Sequence, residues 1–512
     1  MSLSNAFKFV LLATLALRLI LAYFIPMTGD EAYFVVWARH LDFGYYDHPP
    51  MVGWFLHLML YLGNAEVLLR LPSILTTALI GIAIYRLLKP LDENKAALIA
   101  MLFLLSPINI LYVFITTDTP LILFAFFSVA SLYKALQHHR LGWYALSGVF
   151  FGLAFLSKYF AVLLGLSYLA YFIFSAKSRE KTGGFILLFL ASFPFALINI
   201  YWNYTHCWDN ILFNLYTRNE GEQASLGKLA MFLGVQIYLM TPPLIYFLFK
   251  HRAGFAQKIQ RDRFLIFFFA FMVPLLVFGL LSIKKVVGLH WVLGFYPALY
   301  LLLFQLLERS ELVKMLKFMA GFSALHLVPI LVIAFMPIET WNQHKLYSDI
   351  VFTLEPEKII EQIRPYEEQQ FLLATNSYSS AATISYNSGS EFFVFGEGGF
   401  HARQDDMLTD FRQFKGRNIL TLRKSKPVMT DYIPYFERVE TIIFTLRGAT
   451  FYLVLGYDFN YERYREDVLR PIKDRYYSIP SWLPHTSCYF CDKYFPEDCN
   501  AVLKPENSPG LK

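Results

Sequence analysis

The sequence predicts a polytopic α-helical membrane protein of about eleven transmembrane helices, followed by a C-terminal α/β or α+β soluble domain. Three observations predict it. The 512 residues are 56% hydrophobic and only 16% charged, where a soluble domain carries about 25% charged residues. The long apolar runs are confined to residues 7–336, and most approach the roughly 20 residues that a spanning helix needs. Residues 338–512 then return to ordinary globular composition. The expected domains are therefore a membrane domain, 1–337, with a long outer loop at 26–66, and an outer soluble domain, 338–512.

The candidate spans are 7–25, 67–88, 96–115, 120–137, 142–157, 159–175, 183–202, 229–249, 264–282, 291–307 and 318–336. The first run is long for a signal-peptide core and no A-x-A-like site follows it, so it reads as a retained span. Charge sets the topology. With the N-terminus in the cytoplasm, the inner segments hold fifteen Lys and Arg and the outer loops hold six, which obeys the positive-inside rule. Merging 142–175 into one span would move the basic clusters at 177–181 and 250–263 outside. The net charge of +6 thus belongs to cytoplasmic loops and calls for no nucleic acid. Eleven spans put 338–512 outside, on the periplasmic or extracellular side.

In the soluble part, strand-like runs occur at 371–375, 391–396 and 418–422. A further pair flanks Arg447-Gly448, where glycine suits a hairpin turn. Residues 355–368 read as a helix. The order of strands in the sheet is not readable.

The topology, chosen from Lys and Arg alone, gathers other ionisable groups on the outer side. Asp30, Glu31, Asp47 and His48 lie in the first outer loop, Asp118 in the second and Lys158 at the third. Arg218, Glu220 and Glu222 lie in the fourth, and Lys284, Lys285 and His290 in the fifth. Within the first loop, 31–41 and 51–62 read as short helices lying in the membrane interface, with Trp and Tyr at headgroup level. The stretch "GYYDHPP" (44–50) joins them. Its prolines cannot continue a helix and restrict the preceding residue, so the elbow fixes where Asp47 and His48 point.

Each group also has a plainer reading. Asp30 and Glu31 suit a helix N-terminal charge pair. Asp47-His48 suits a turn with a capping Asp. Asp118, before Thr119-Pro120, suits an N-cap. Lys158 suits a snorkelling lysine, and His290-Trp291 an interface anchor. Their joint placement on one face is what points to a site.

In order, "GDEAYFVVWARHLDFGYYDHPP" (29–50), "RLPS" (70–73), "TTDTP" (116–120), "LSKY" (156–159), "NIYWNYTHCWDNILFNLYTRN" (199–219) and "GLHWVLGFYPAL" (288–299) resemble the GT-C glycosyltransferases of the protein O-mannosyltransferase type. They are more similar still to the bacterial members that include lipid A aminoarabinose and galacturonic acid transferases. "YSSAATISYNSG" (378–389) resembles a weaker segment of their soluble domain. The resemblance implies a GT-C-like fold and a polyprenyl-phosphate sugar donor. The acceptor it implies is a lipid or glycan on the outer face, such as lipid A or lipopolysaccharide, with membrane lipids as further partners.

It also implies roles. Asp30 inherits a catalytic acid, Glu31 accompanies it, and Asp118 matches a second essential acid. Asp47 keeps the acid of the aminoarabinose transferases' Glu-Lys elbow, while His48 replaces the lysine. Glycosyl transfer to a hydroxyl needs a base, for which Asp30 is placed. The departing phosphate needs cations or donors, for which Lys158, Arg218, Lys284, Lys285, His48 and His290 are available. Asp47 with His48 is a candidate site for a divalent metal, Mg²⁺, Mn²⁺ or Zn²⁺. A protein O-glycosyltransferase of the same fold is the alternative within the class. A lipid-linked sugar flippase or transporter is the alternative outside it, but such proteins place ionisable groups near the midplane, where this chain has few, such as Arg18 and Arg70. The cysteines Cys207, Cys488, Cys491 and Cys499 all face outward, which suits a disulfide within 488–499; a zinc site with His485 is the other reading.

Overall fold

The computed structural model describes residues 2–219, 221–254, 263–399, 403–486 and 488–499. They form two compact units. The first comprises Met1–Ile25, Pro49–Asn199 and Gly221–Phe335, and the second Pro26–His48, Ile200–Glu220 and Met336–Lys512.

The first unit is a helical bundle. Five helices are long and apolar enough to cross a membrane, Leu3–Phe24, Leu71–Leu88, Asp118–His138, Arg179–Thr205 and Arg309–Phe335. A sixth candidate, Leu226–Met240 with Pro242–Lys250, bends by 88° at Thr241, just before a proline pair that cannot continue the first helix. The remaining apolar runs form shorter helices, among them Leu141–Phe155, Leu265–Leu281 and Tyr296–Leu306.

Helix Glu93–Leu104 shows how the bundle is layered. Asp92 caps it by accepting the Lys95 N–H at 2.9 Å, and every residue from Ala96 to Leu104 is buried. A helix apolar on all sides belongs inside the bundle, and this one packs against Leu3–Phe24, Leu71–Leu88, Tyr296–Leu306 and Arg309–Phe335. Conversely, Leu325, Leu331 and Phe335 on the last helix are exposed, as lipid-facing positions are.

The two arginines inside the bundle serve backbone carbonyls. Arg70 donates to the carbonyls of Ala22, at 3.0 Å, and Ile25, closing the C-terminus of the first helix, where orphan acceptors attract cations. Arg18 donates to Thr14 and Asn109 carbonyls, both at 3.1 Å.

The second unit holds a five-stranded mixed sheet. Its strands are β1 (Leu372–Thr375), β2 (Phe392–Val394), β3 (Ile419–Arg423), β4 (Phe436–Leu446) and β5 (Ala449–Phe459), in the order β2-β1-β3-β5-β4. β1 pairs in parallel with β2 and β3, and β5 antiparallel with β3 and β4. Side chains alternate between two cores. Ala374, Ile419 and Val454 enter one, with Phe395, Phe411 and Tyr464. Leu373, Leu420 and Leu453 enter the other, with Val351, Ile359 and Ile384. The β4–β5 hairpin turns at Arg447 (φ 52°) and Gly448 (φ 82°), the two left-handed residues that a type I′ turn requires.

Candidate active site

Helix Gly29–Arg39 begins with a capping box. Glu31 accepts the Thr28 N–H at 3.1 Å and its hydroxyl at 3.0 Å, while Thr28 Oγ1 accepts the Glu31 N–H at 3.3 Å. This pairing of N-cap and N3 is legible as T-x-x-E. It buries Glu31 and commits its carboxylate to the backbone, so of the two neighbouring acids only Asp30 is exposed. The Tyr378 hydroxyl donates to Asp30 Oδ1 at 3.1 Å. That tyrosine opens helix Tyr378–Ser388, which packs along Gly29–Arg39. The approach is close enough that a Cβ on Gly29 would lie 2.8 Å from Ser379 Cβ.

The elbow is a braced turn. Tyr45 N–H donates to the His48 carbonyl at 3.0 Å, and Tyr45 OH to the Trp37 carbonyl at 3.0 Å. The Trp37 and Tyr45 rings stack, with centroids 4.5 Å apart. Trp37 is fully buried, because the elbow's own aromatic covers it. Further supports come from distant sequence. Tyr46 N–H donates to Gln404 Oε1 at 2.9 Å, and Gln404 N–H to Tyr33 OH at 3.2 Å. Asn210 and Asn214 donate to the carbonyls of Tyr45, at 2.8 Å, and Asp47, at 3.0 Å. The outcome is a His48 Nδ1 held 3.0 Å from Asp47 Oδ2. Arg218 reaches the same neighbourhood by donating to Asn214 Oδ1 at 3.4 Å. A carboxylate and an imidazole fit a divalent ion as two ligands, and among the described residues no cluster of three or more His, Cys, Asp or Glu gathers.

A layer of buried polar groups lies behind this turn. Tyr477 OH donates to Asp406 Oδ2 at 2.7 Å, on the carboxylate that also pairs with Arg403 at 2.5 Å. Tyr489 OH donates to Asp209 Oδ2 at 2.6 Å. Burial drives the Asp209 carboxyl well above the usual carboxylate range. Burial, with the neighbouring charge of Asp406, pushes Asp405 up to about 7.

In the first unit, Lys158 Nζ lies 2.8 Å from both oxygens of Asp118. Both side chains are buried. Asp118 is the first residue of its helix rather than its cap, the cap position being Thr117. Lys285 lies over the Trp291 ring at 6.0 Å, Lys284 and His290 are exposed, and Glu222 pairs with Lys228 at 2.5 Å. Glu220 lies outside the described residues.

The candidate residues therefore fall into two sets. Asp118, Lys158, Lys284, Lys285 and His290 belong to the first unit. Asp30, Glu31, Asp47, His48 and Arg218 belong to the second. Sequence reasoning missed Tyr33, Tyr378 and Gln404, which support the first outer loop along its own helix or from 348 and more residues away. The adjacent acids of "RQDDM" (403–407) were a visible signal left unread.

The cysteines add a bridge that sequence reasoning did not name. Cys488 pairs with Cys207, with Cα atoms 4.5 Å apart and a sequence separation of 281, so this particular bridge leaves the 488–499 stretch. Cys491 is also disulfide-bonded, and the side chain of Cys499 lies outside the described residues. His485 Nδ1 is 3.3 Å from the Leu483 carbonyl.

Comparison with known proteins gives a partial family match and a shared fold. The family described as dolichyl-phosphate-mannose-protein mannosyltransferase matches residues 47–202. The lipid A galacturonosyltransferase RgtD of Rhizobium johnstonii is 26% identical over 197 residues, covering 35% of this chain and 38% of the relative. The match thus spans well under half the length of that curated protein. Crystal structures of ArnT from Cupriavidus metallidurans, in the apo state and bound to undecaprenyl phosphate, align with TM-scores of 0.61 and 0.64 at 14% identity, over 88% of this chain and 98% of theirs. Residues 47–202 thus resemble the dolichyl-phosphate-mannose-protein mannosyltransferase family, and the overall fold is the one seen in ArnT.

Proposed function

We propose that the protein is an integral membrane glycosyltransferase that moves a sugar from a polyprenyl-phosphate donor to lipid A, lipopolysaccharide or another envelope glycan. The observation that carries this reading is the exposed Asp30 carboxylate, fixed at a helix N-terminus by Tyr378, on a fold shared with ArnT. In this mechanism Asp30 takes the proton from the acceptor hydroxyl as it attacks the anomeric carbon. The bond from sugar to phosphate breaks, and the electron pair leaves on the phosphate. Arg218 of the same unit balances that charge, with His48 as a hydrogen-bond donor. Glu31 holds the helix start. A divalent ion at Asp47 and His48 would add a Lewis acid beside the phosphate.

The eleven-span topology, with the N-terminus in the cytoplasm, is part of the proposal. The distribution of Lys and Arg supports it. So does the Cys207–Cys488 bridge, since disulfides persist in oxidising compartments; that favours a periplasmic second unit. A protein acceptor is the second reading, favoured by the family match over 47–202.

Mass spectrometry of lipid A, core glycan and envelope proteins, with and without the gene, tests both readings. Loss of one sugar from a glycolipid supports the first, and loss from a protein supports the second. Identical glycans in both strains would rule out the reaction in vivo.

A further inference from the structure

The second unit contains a groove of about 460 Å³ to which no role has been given. It runs between helix Gly29–Arg39 and the β2 edge of the sheet. Tyr33, Tyr378, Phe393 and Phe414 supply rings, and Arg39 and Asp405 supply charge. Its volume falls within the ~300–1,000 Å³ range of small-ligand pockets.

We propose that this groove seats the sugar rings of the acceptor, an inference that rests on the glycosyltransferase reading above. Three features carry it. The first is chemistry. Aromatic faces beside carboxylate, amide and hydroxyl groups match a pyranose, which offers C–H faces and hydroxyl edges. A phosphate is matched less well, because Arg39 and His40 share the lining with Glu391, Asp405 and Asp410.

The second feature is position. Two residues of the groove also flank the proposed base. Tyr378 donates to Asp30 Oδ1 at 3.1 Å, and Tyr33 lies three residues after Asp30 on the same helix, hence one turn along the same face. A sugar against these rings sits one side chain away from the carboxylate that must take its proton.

The third feature is Asp405. It walls both the groove and a smaller cavity lined by Gly396, Arg403 and Asp406. Its Oδ2 is buried and has no hydrogen-bond partner among the described residues. An unsatisfied buried carboxylate oxygen is unfavourable, and a turn of the Asp405 side chain into the groove would let a sugar hydroxyl satisfy it.

The test uses full-length protein in nanodiscs and the β1,6-linked glucosamine disaccharide as probe, without any donor. Saturation-transfer NMR should detect binding to the wild type. Gln413→Trp, at an exposed position on the groove's rim, should weaken it at least tenfold. Inorganic phosphate at equal concentration should not compete. Absence of binding to the wild type, unaltered binding to Gln413→Trp, or displacement by phosphate would each overturn the assignment. Undecaprenyl phosphate binding, followed by native mass spectrometry in the same samples, should be equal in wild type and variant. Its absence from the wild type would count against the donor reading separately, since the saccharide is measured without donor.

Discussion

The ammonium of Lys158 is shared equally between the two carboxylate oxygens of Asp118, at 2.8 Å each, and both side chains are buried. Breaking such a pair leaves one charge unpaired and costs about 3–5 kcal/mol, whereas removing both charges can be nearly neutral. Asp118→Asn and Lys158→Met alone should therefore lower the thermal midpoint in detergent, and the double variant should regain most of it. Transfer should stay below roughly 1% of wild type in the refolded double variant if the pair also serves the donor. Full activity there would assign the pair to folding alone.

Asp30 and Tyr378 separate a reacting group from one that positions it. Asp30→Asn should reduce transfer by about 10²–10⁴, the usual contribution of a general base, with an unchanged thermal midpoint because the carboxylate is exposed. Tyr378→Phe removes one hydrogen bond and should cost only about three- to tenfold, in keeping with about 1 kcal/mol. Rates measured with a purified polyprenyl-phosphate sugar check both. Equal losses would mean that the tyrosine does more than orient the acid.

The elbow depends on the lack of a side chain at Gly44. A Cβ there would fall 2.4 Å from the Trp202 indole, and Trp202 is buried and stacked on His206. Gly44→Ala should destabilise by roughly 1–3 kcal/mol, as overpacking does, and should impair transfer through the displaced Asp47-His48 turn. Limited proteolysis of the first outer loop would reveal the loosening. An unchanged digest and rate would show that the turn tolerates the shift.

Much of this was legible in the sequence, for local reasons. Apolar runs, the Arg447-Gly448 hairpin and the helix start marked by the Asp30-Glu31 pair are set by neighbours within a few residues. Asp30 was singled out as the acid of the first loop, and its exposure keeps it available. What stayed hidden is the long-range bracing. Gln404 under Tyr46, Tyr378 on Asp30 and Cys488 on Cys207 join residues that no periodicity connects, and cysteine pairing cannot be deduced from spacing. The ring over Trp37 stayed hidden too, because helical spacing reports a face, not what covers it.

Asp405 gives a pH dependence with a definite sign. Its carboxyl titrates at about 7 in the folded protein against an ordinary value of 3.8. The folded state therefore holds the extra proton between these values, and stability falls as pH rises across that window, reaching its floor above 7. Asp405→Asn mimics the protonated form. It should raise the thermal midpoint at pH 8 and have little effect near pH 4. A gain of the same size at both pH values would exclude Asp405 as the titrating group.

The bridge between Cys207 and Cys488 sets a schedule for making the protein. The two cysteines are 281 residues apart, and synthesis at about 5–20 residues per second separates their appearance by roughly 15–60 s. Cys207 must wait through that interval for its partner. Its correct partner arrives in the same short stretch as Cys491 and Cys499, so the order in which those three thiols oxidise decides which one it meets.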